Sequence, residues 1–142
     1  MKVGYKFLDH KSDLYIRACG KDLNQAFEQS GLAVCDAMVE IEKVEPKVDR
    51  EVSVESEDIF SLLYDYLEEL LFLFDTEFLL FSEIEIKINE IESGFRLDAK
   101  LYGEEFDEEK HSQRIGIKSP TYSLMEKIEK DELICLEFVM DI

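Results

Sequence analysis

The sequence predicts an α+β fold, with mostly antiparallel sheet packed by two helices. Two long segments repeat apolar residues every three or four positions, which is the spacing of one helix face. Other segments alternate apolar and polar residues, which is typical of half-buried strands. The two kinds of segment follow in irregular order, which favours α+β. The 142 residues are 46 % hydrophobic and contain no linker-like stretch, so we expect a single domain over residues 1–142.

The first quarter of the chain predicts two strands and a helix. Tyr5 to Leu8 is a short strand candidate, and Leu14 to Cys19 places alternate apolar residues on one face. Asp22 stands at the N-cap of the first helix, with Gln25 in the capping-box position. A glycine inside a helix costs about 1 kcal/mol relative to alanine. We therefore interpret Gly31 as a point of close packing.

The central helix is expected within Asp58 to Phe81, after a charged loop over Glu40–Arg50 and a brief strand at Val52–Val54. Asp58 is the expected N-cap, and residues 75–77 end or bend the helix. Its C-terminal part is apolar on nearly every side, which predicts deeper burial there. The apolar positions with helical spacing are Ile59, Leu62, Leu63, Tyr66, Leu67, Leu70, Leu71 and Phe74.

The second half of the chain predicts two hairpins joined by a polar segment. Residues 84–101 alternate on both arms of an antiparallel hairpin, and residues 103–116 are polar enough for an exposed loop. The last hairpin joins residues 125–130 to 133–140 about a turn at Asp131 and Glu132. Its final strand is apolar on both faces, so we expect a central position in a sheet that both helices cover from one side.

The net charge of −18 restricts the classes of partner. An acidic surface repels phosphate backbones, so tight direct binding of nucleic acid is not expected. A basic protein partner would instead be attracted over a long range. The other interpretation of the acidity is that it maintains solubility or reflects a salty cytoplasm.

Membrane insertion and disulfide bonding are not expected. No run reaches the roughly 18 uncharged apolar residues of a membrane span, and the N-terminus lacks the pattern of a signal peptide. Cys19, Cys35 and Cys135 are scattered and form no CxxC pair, so neither a disulfide framework nor a thiolate zinc site is indicated. This pattern favours a reduced, cytoplasmic compartment.

Three polar features have no obvious role in the core. The first is the loop from Asp9 to Asp13, and the second is Asp141 with the terminal carboxylate of Ile142. With one more aspartate, the two C-terminal carboxylates would form an oxygen-only site suited to Ca²⁺ or Mg²⁺. The third is Lys118 beside Tyr122, which suits contact with a phosphate or an acidic residue. Each feature also has a purely structural interpretation. The loop could be an ordinary turn, the C-terminal carboxylates could simply be solvated, and the lysine could protect an edge strand from pairing with another chain.

The chain resembles the archease family over essentially its whole length. The resemblance rests on segments in the family's order, namely DHKSD, IRACGKDLNQAFE, LLYDYLEELLFLFDTEFLLFSEIEI, GEEFDEEKH, IKSPTY and FVMDI. It implies a non-catalytic activator of the GTP-dependent tRNA-splicing RNA ligase, which promotes the ligase's guanylylation and multiple turnover. The protein partner would then be that ligase.

The resemblance also assigns site residues. It places a divalent-cation site, with Ca²⁺ first and Mg²⁺ or Mn²⁺ as alternatives, on Asp13, Asp141 and Ile142. The family's functional lysine corresponds to Lys118. Asp9 and His10 match the start of the loop motif and are expected to support the partner's activation or the loop's structure. Two departures from the family pattern are Lys11-Ser12, where Thr-Ala is usual, and Pro120 after the lysine.

Two other classes of function remain open from the sequence. A metal-dependent hydrolase would use the same carboxylates, with Asp9, His10 and Asp13 as acid, base or ligands, although no nucleophile beside a base is evident. A chaperone-like module would bind several nucleic-acid enzymes independently of Asp13 and Lys118.

Overall fold

A computed structural model describes residues 1–9 and 13–142, so the expectation for His10 lies outside the described residues. It contains two helices and eight strands over these residues, which confirms the α+β class. A short 3₁₀ turn, Ile41–Lys43, follows the first helix. The elements are β1 (Gly4–Leu8), β2 (Leu14–Gly20), α1 (Leu23–Met38), β3 (Val48–Ser56), α2 (Ile59–Glu77), β4 (Leu79–Ile91), β5 (Gly94–Glu105), β6 (Ser119–Pro120), β7 (Glu126–Lys130) and β8 (Leu133–Asp141).

The strands form two antiparallel sheets, whereas the sequence pattern predicted one. The larger sheet has the order β1-β2-β8-β6, and β7 also pairs with β8; the smaller has the order β3-β5-β4. Helix α1 contacts β2 of the larger sheet and β4 of the smaller one, so it packs between them. Helix α2 contacts α1, all three strands of the smaller sheet and β6. Alternation within a strand shows which face is buried but not which sheet the strand joins.

The predicted central strand and its hairpin are confirmed. Strand β8 pairs with β2 along one edge and with β6 and β7 along the other, and residues 135–140 are buried. The turn between β7 and β8 has positive φ at both central residues, 54° at Asp131 and 63° at Glu132. Two positive φ values match the right-handed twist of the paired strands, which is why such two-residue turns close hairpins.

The N-terminal cap of α1 and the close packing at Gly31 follow the sequence prediction. The Asp22 carboxylate accepts a hydrogen bond from the Gln25 amide at 2.8 Å, and the Gln25 side chain accepts one from the Lys21 amide at 2.8 Å. A Cβ atom added at Gly31 would lie 2.2 Å from the Tyr66 hydroxyl. The glycine is therefore what allows α1 to approach this fully buried tyrosine of α2.

Helix α2 begins as predicted but is buried differently. The Asp58 carboxylate caps it by accepting from the Ser61 amide at 2.8 Å, and the helix ends where Phe78 adopts a left-handed φ of 58°. The run Leu79–Phe81 therefore starts β4. Burial is greatest near the middle, where Tyr66 is fully buried, while Phe72 is 55 % exposed, so the predicted deeper burial at the C-terminal end is wrong. The sheet covers one face of the helix, and Phe72 lies on the other.

Two predicted loops contain more regular structure than expected. Strand β3 begins at Val48, inside the charged segment expected to be a loop, and Val48 pairs with Gly103. Strand β5 continues to Glu105, into the other segment expected to be a loop. The first segment carries many charged residues because β3 is an edge strand with one face toward solvent, where charged side chains are well tolerated.

A disulfide bond joins Cys19 to Cys135, which corrects the expectation of unpaired cysteines. The two residues are separated by 116 positions in the sequence, yet they are direct partners in the pairing of β2 with β8. Scattered spacing concealed this pairing because only the register of the two strands brings the residues together. Cys35 is a buried free thiol. The inference of a reduced compartment loses the support that it drew from unpaired cysteines.

Neither helix described within residues 1–9 and 13–142 is long and apolar enough to cross a membrane.

Candidate functional site

The two predicted aspartate ligands lie at the same end of the larger sheet. In the antiparallel pairing of β2 with β8, Leu14 lies opposite Met140. One step further in the same register, Asp13 comes level with Asp141. Both residues are half-buried, and Ile142 follows directly with 39 % of its surface exposed. The strand register thus brings together residues from opposite ends of the chain, and we call this end of the sheet the tip.

Lys118 reaches the tip from the other side of β8. Its backbone amide donates a hydrogen bond to the Asp141 carbonyl oxygen at 2.8 Å, and the next residue, Ser119, pairs with Asp141 in β6. The Lys118 side chain is exposed. Pro120 pairs with Met140 and is buried, so this departure from the family pattern is accommodated within the short strand.

Asp9 lies at the same end of the sheet. It follows β1, whose last residue, Leu8, pairs with Tyr15 of β2. The Asp9 residue is exposed, in the part of the chain that precedes the three residues outside the description. The tip therefore gathers Asp9, Asp13, Lys118, Asp141 and Ile142.

The donor atoms at the tip suit a hard divalent cation. The carboxylates of Asp13 and Asp141 and the main-chain oxygens of Ile142 are all oxygen donors, which Ca²⁺ and Mg²⁺ prefer and which do not favour zinc. Among residues 1–9 and 13–142, no three His, Cys, Asp or Glu side chains form a metal-binding group. The predicted set contains only two such side chains, since its third member is main chain. The donor chemistry suits such a cation, and the site itself stays a prediction.

A buried cluster around Glu104 was missed by the sequence prediction. The polar segment 103–116 was expected to be exposed, but His111 is fully buried. Its Nδ1 accepts a hydrogen bond from the Asp107 amide at 3.0 Å, so Nε2 carries the hydrogen and donates to Glu104 at 3.0 Å. Lys110 Nζ lies 2.8 Å from the same carboxylate, which also accepts from the Glu45 amide at 2.8 Å.

This cluster fixes the path of the chain toward Lys118. Burial by itself raises the pKa of Glu104, but hydrogen bonds from Lys110, the Glu45 amide and His111 outweigh it and lower that pKa to about 2. Further along, the Arg114 amide donates to the Met38 carbonyl at 2.8 Å. The segment between β5 and β6 is therefore anchored at both its start and its middle. The only signal of this cluster in the sequence was a histidine flanked by acidic and basic residues.

Glu104→Gln is expected to change how stability depends on pH. Because the folded-state pKa is about 2, against an ordinary 4.5, ionised Glu104 stabilises the fold above about pH 4.5. That contribution is lost as the pH falls from about 4.5 toward about 2. The free energy of unfolding of the variant should lack this pH-dependent contribution and should be lower than that of the wild type by about 1–3 kcal/mol at pH 7. Urea unfolding at pH 7, 4.5 and 3 measures both effects.

Glu105→Gln is the matched control, because Glu105 is exposed and its replacement removes the same charge. Its stability should follow the wild-type pH profile within about 0.5 kcal/mol. Equal profiles for the two variants would show that the Glu104 cluster does not contribute to acid sensitivity.

Comparison with known proteins gives a consistent family match. The profile of the archease protein family (MTH1598/TM1083) matches residues 5–142. Protein archease of Pyrococcus abyssi is 47 % identical over 126 residues, which cover 89 % of this chain and 88 % of that protein. The solution structure of Methanobacterium thermoautotrophicum protein 1598 has a TM-score of 0.86 and 40 % identity, covering 98 % of this chain and 99 % of that one.

A more distant structure shares the fold. The crystal structure of an archease, described as a possible chaperone (TM1083), from Thermotoga maritima has a TM-score of 0.60 at 12 % identity. The match covers 96 % of each chain. The profile match from β1 to the tip and the close curated relative agree with the resemblance inferred from the sequence. This chain belongs to the archease protein family.

Proposed function

We propose that this protein is a non-catalytic activator of the GTP-dependent tRNA-splicing RNA ligase, which promotes the ligase's guanylylation and multiple turnover. The observation that supports this function is the convergence of Asp13, Asp141, Ile142 and Lys118 at the tip of an archease-family chain. These are the positions at which the family resemblance places the metal site and the functional lysine.

Asp13, Asp141 and Ile142 would hold a divalent cation, with Ca²⁺ first and Mg²⁺ or Mn²⁺ as alternatives. Two carboxylates on adjacent strands repel one another, and a cation between them removes that repulsion. When bound, the cation would supply positive charge to neutralise phosphate oxygens during nucleotidyl transfer in the ligase.

Lys118 has a separate role at the tip. Its main chain is held on Asp141, while its exposed ammonium is free to move toward a partner. An ammonium on a flexible stem suits contact with a phosphate or with a carboxylate of the partner. Asp9 and His10, which precede Asp13 in the sequence, would support the same contact.

The charge of the whole chain supports action through a protein rather than on RNA directly. With a net charge of −18, the chain repels a phosphate backbone and attracts basic surface. A ligase that binds RNA offers such basic surface. The activator would therefore meet the ligase quickly without binding its RNA tightly.

The test is a guanylylation and ligation assay with the purified ligase of the same organism. GTP-dependent guanylylation and RNA joining are followed with and without this protein at substoichiometric amounts. We expect each molecule of this protein to support more than one turnover of the ligase. No acceleration at any ratio contradicts the proposal, and joining by this protein alone contradicts its non-catalytic part.

A chaperone-like role is the second candidate. It is favoured by exposed apolar side chains, among them Phe72, Phe78 and Tyr122, each at least 54 % exposed. The Thermotoga maritima relative is itself described as a possible chaperone. This role predicts protection of several unrelated nucleic-acid enzymes from aggregation, with no loss when Asp13 or Lys118 is replaced. The chaperone-like role would be favoured if the variants at Asp13 and Lys118 still prevented aggregation and the wild type did not activate the ligase.

A further inference from the structure

An open groove lies between the first turn of α2 and the chain that follows β6. It has a volume of about 460 Å³, and its lining residues are Asp58, Ile59, Phe60, Ser61, Tyr122 and Lys127. Two aromatic side chains in it remain open to solvent, because Phe60 is 40 % and Tyr122 is 55 % exposed. Tyrosine and phenylalanine at such exposure are typical of contact surfaces rather than of ordinary surface.

A ring stack holds the groove in shape. The rings of Tyr64 and Tyr122 stack with centroids 4.6 Å apart and an angle of 11° between their planes. Leu124 lies in the turn after Tyr122, is 52 % exposed and has a φ of 55°. A left-handed backbone costs a residue such as leucine about 1–2 kcal/mol. We call the groove with Phe60, Tyr64 and Tyr122 the aromatic groove.

Carboxylates of α2 lie close to the aromatic groove, since Asp58 lines it and Glu68 stands one helical turn after Tyr64. Burial and then the charges of Asp65, Asp58 and Glu68, with the neighbouring Tyr64, raise the pKa of Tyr122. Asp58 and Asp65 are held by hydrogen bonds from Ser61 and Ser56, whereas Glu68 is exposed. Lys127 contributes one positive charge, which lies 3.4 Å from Glu129. The rim is therefore predominantly acidic.

Aromatic faces with an acidic rim fit one kind of side chain best. The planar guanidinium of arginine stacks on aromatic rings and pairs with carboxylates at the same time, and its stem packs on apolar surface. Tyrosine and arginine also dominate the energetically important positions of protein interfaces. The net charge of −18 attracts a basic segment from a distance.

We propose that the aromatic groove anchors a positively charged, arginine-bearing segment of the same protein partner on which the tip acts. This proposal rests on the proposed function. Only four positions separate Lys118 from Tyr122, which an extended chain spans in at most about 14 Å. One partner surface can therefore contact the tip and the groove together. The groove supplies affinity, and the tip supplies activation.

The test measures binding and activation separately for four variants. Tyr122→Ala removes an anchor, and Phe72→Ala is its control, since Phe72 is also 55 % exposed but lies toward the other end of α2. Glu68→Lys reverses a rim charge, and Asp75→Lys is the control on the same helix. Affinity for the purified ligase is measured by titration calorimetry or interferometry at low and moderate salt. Guanylylation is measured at saturating activator.

Tyr122→Ala is expected to weaken ligase binding about tenfold or more relative to Phe72→Ala. Glu68→Lys should slow association more than Asp75→Lys, and the difference should shrink as salt rises. Both groove variants should reach wild-type maximal activation at saturation. Equal affinities for Tyr122→Ala and Phe72→Ala overturn the proposal. If the wild type does not bind the ligase at all, the ligase is not the partner, and both the proposed function and the groove proposal are wrong.

Discussion

Asp13→Ala is expected to reduce activation of the ligase to its unassisted rate. The variant removes one of the two carboxylates at the tip, where Asp13 precedes Leu14 and Asp141 follows its partner Met140. Two carboxylates and a main-chain oxygen hold a hard cation much better than one carboxylate does, because cation affinity rises with the number of charged ligands. The loss should therefore persist at saturating activator, in contrast to the loss for a groove variant.

The proposed cation would provide a second readout that does not depend on the ligase. Binding of Ca²⁺ to the folded state alone should raise the wild-type melting temperature, and a chelator should reverse the change. Neither addition should affect Asp13→Ala. Isothermal titration with Ca²⁺, Mg²⁺ and Mn²⁺ measures the preference among the three cations directly.

Controls separate loss of the site from loss of the fold. Asp13→Asn keeps the size of the side chain and removes only its charge. Asp49→Ala removes an exposed carboxylate from β3, in the smaller sheet, and should activate like the wild type. Wild-type activation by Asp13→Ala would remove the metal tip from the mechanism, even if the protein still accelerated the ligase.

Reduction of the Cys19–Cys135 disulfide is expected to cost about 4–5 kcal/mol of unfolding free energy. The crosslink closes a loop of 116 residues, and in the chain-entropy account a loop of that length removes much of the freedom of the unfolded chain. Urea unfolding with and without reductant measures the loss. The double variant Cys19→Ala/Cys135→Ala should show a similar loss and no further response to reductant.

Counting thiols tests the pairing itself. In denaturant without reductant, one free thiol per chain is expected, because Cys35 is the free cysteine. Cys35→Ser should leave none and should keep the response to reductant. Three free thiols in the wild type would contradict the crosslink and restore the expectation drawn from the cysteine spacing.

Local features of the sequence predicted the elements whose stability comes from near neighbours. The caps at Asp22 and Asp58 each accept from an amide three positions later, so a short stretch of sequence is enough to recognise them. The turn at Asp131 and Glu132 was recognisable in the same way, because its two acidic residues lie directly between two predicted strands, residues 125–130 and 133–140. Gly31 signalled close packing correctly, although its partner Tyr66 was not identified.

Features that depend on distant residues were predicted poorly. The Cys19–Cys135 pair, the second sheet and the burial of His111 all depend on segments that are far apart in the sequence. A polar segment looks exposed when it is considered alone. It becomes buried when another segment, here the one with Glu45, supplies the partners for its charges.

For the candidate site, the sequence by itself determined the kinds of residue and, through family resemblance, their positions at Asp13, Lys118, Asp141 and Ile142. Oxygen donors and a lysine already indicated a hard cation and an anionic partner group. Only the tertiary structure decided that these residues share one end of a sheet and that an aromatic groove lies beside them. Residue type sets which chemistry is available, whereas strand register, determined by core packing between distant segments, sets which groups meet.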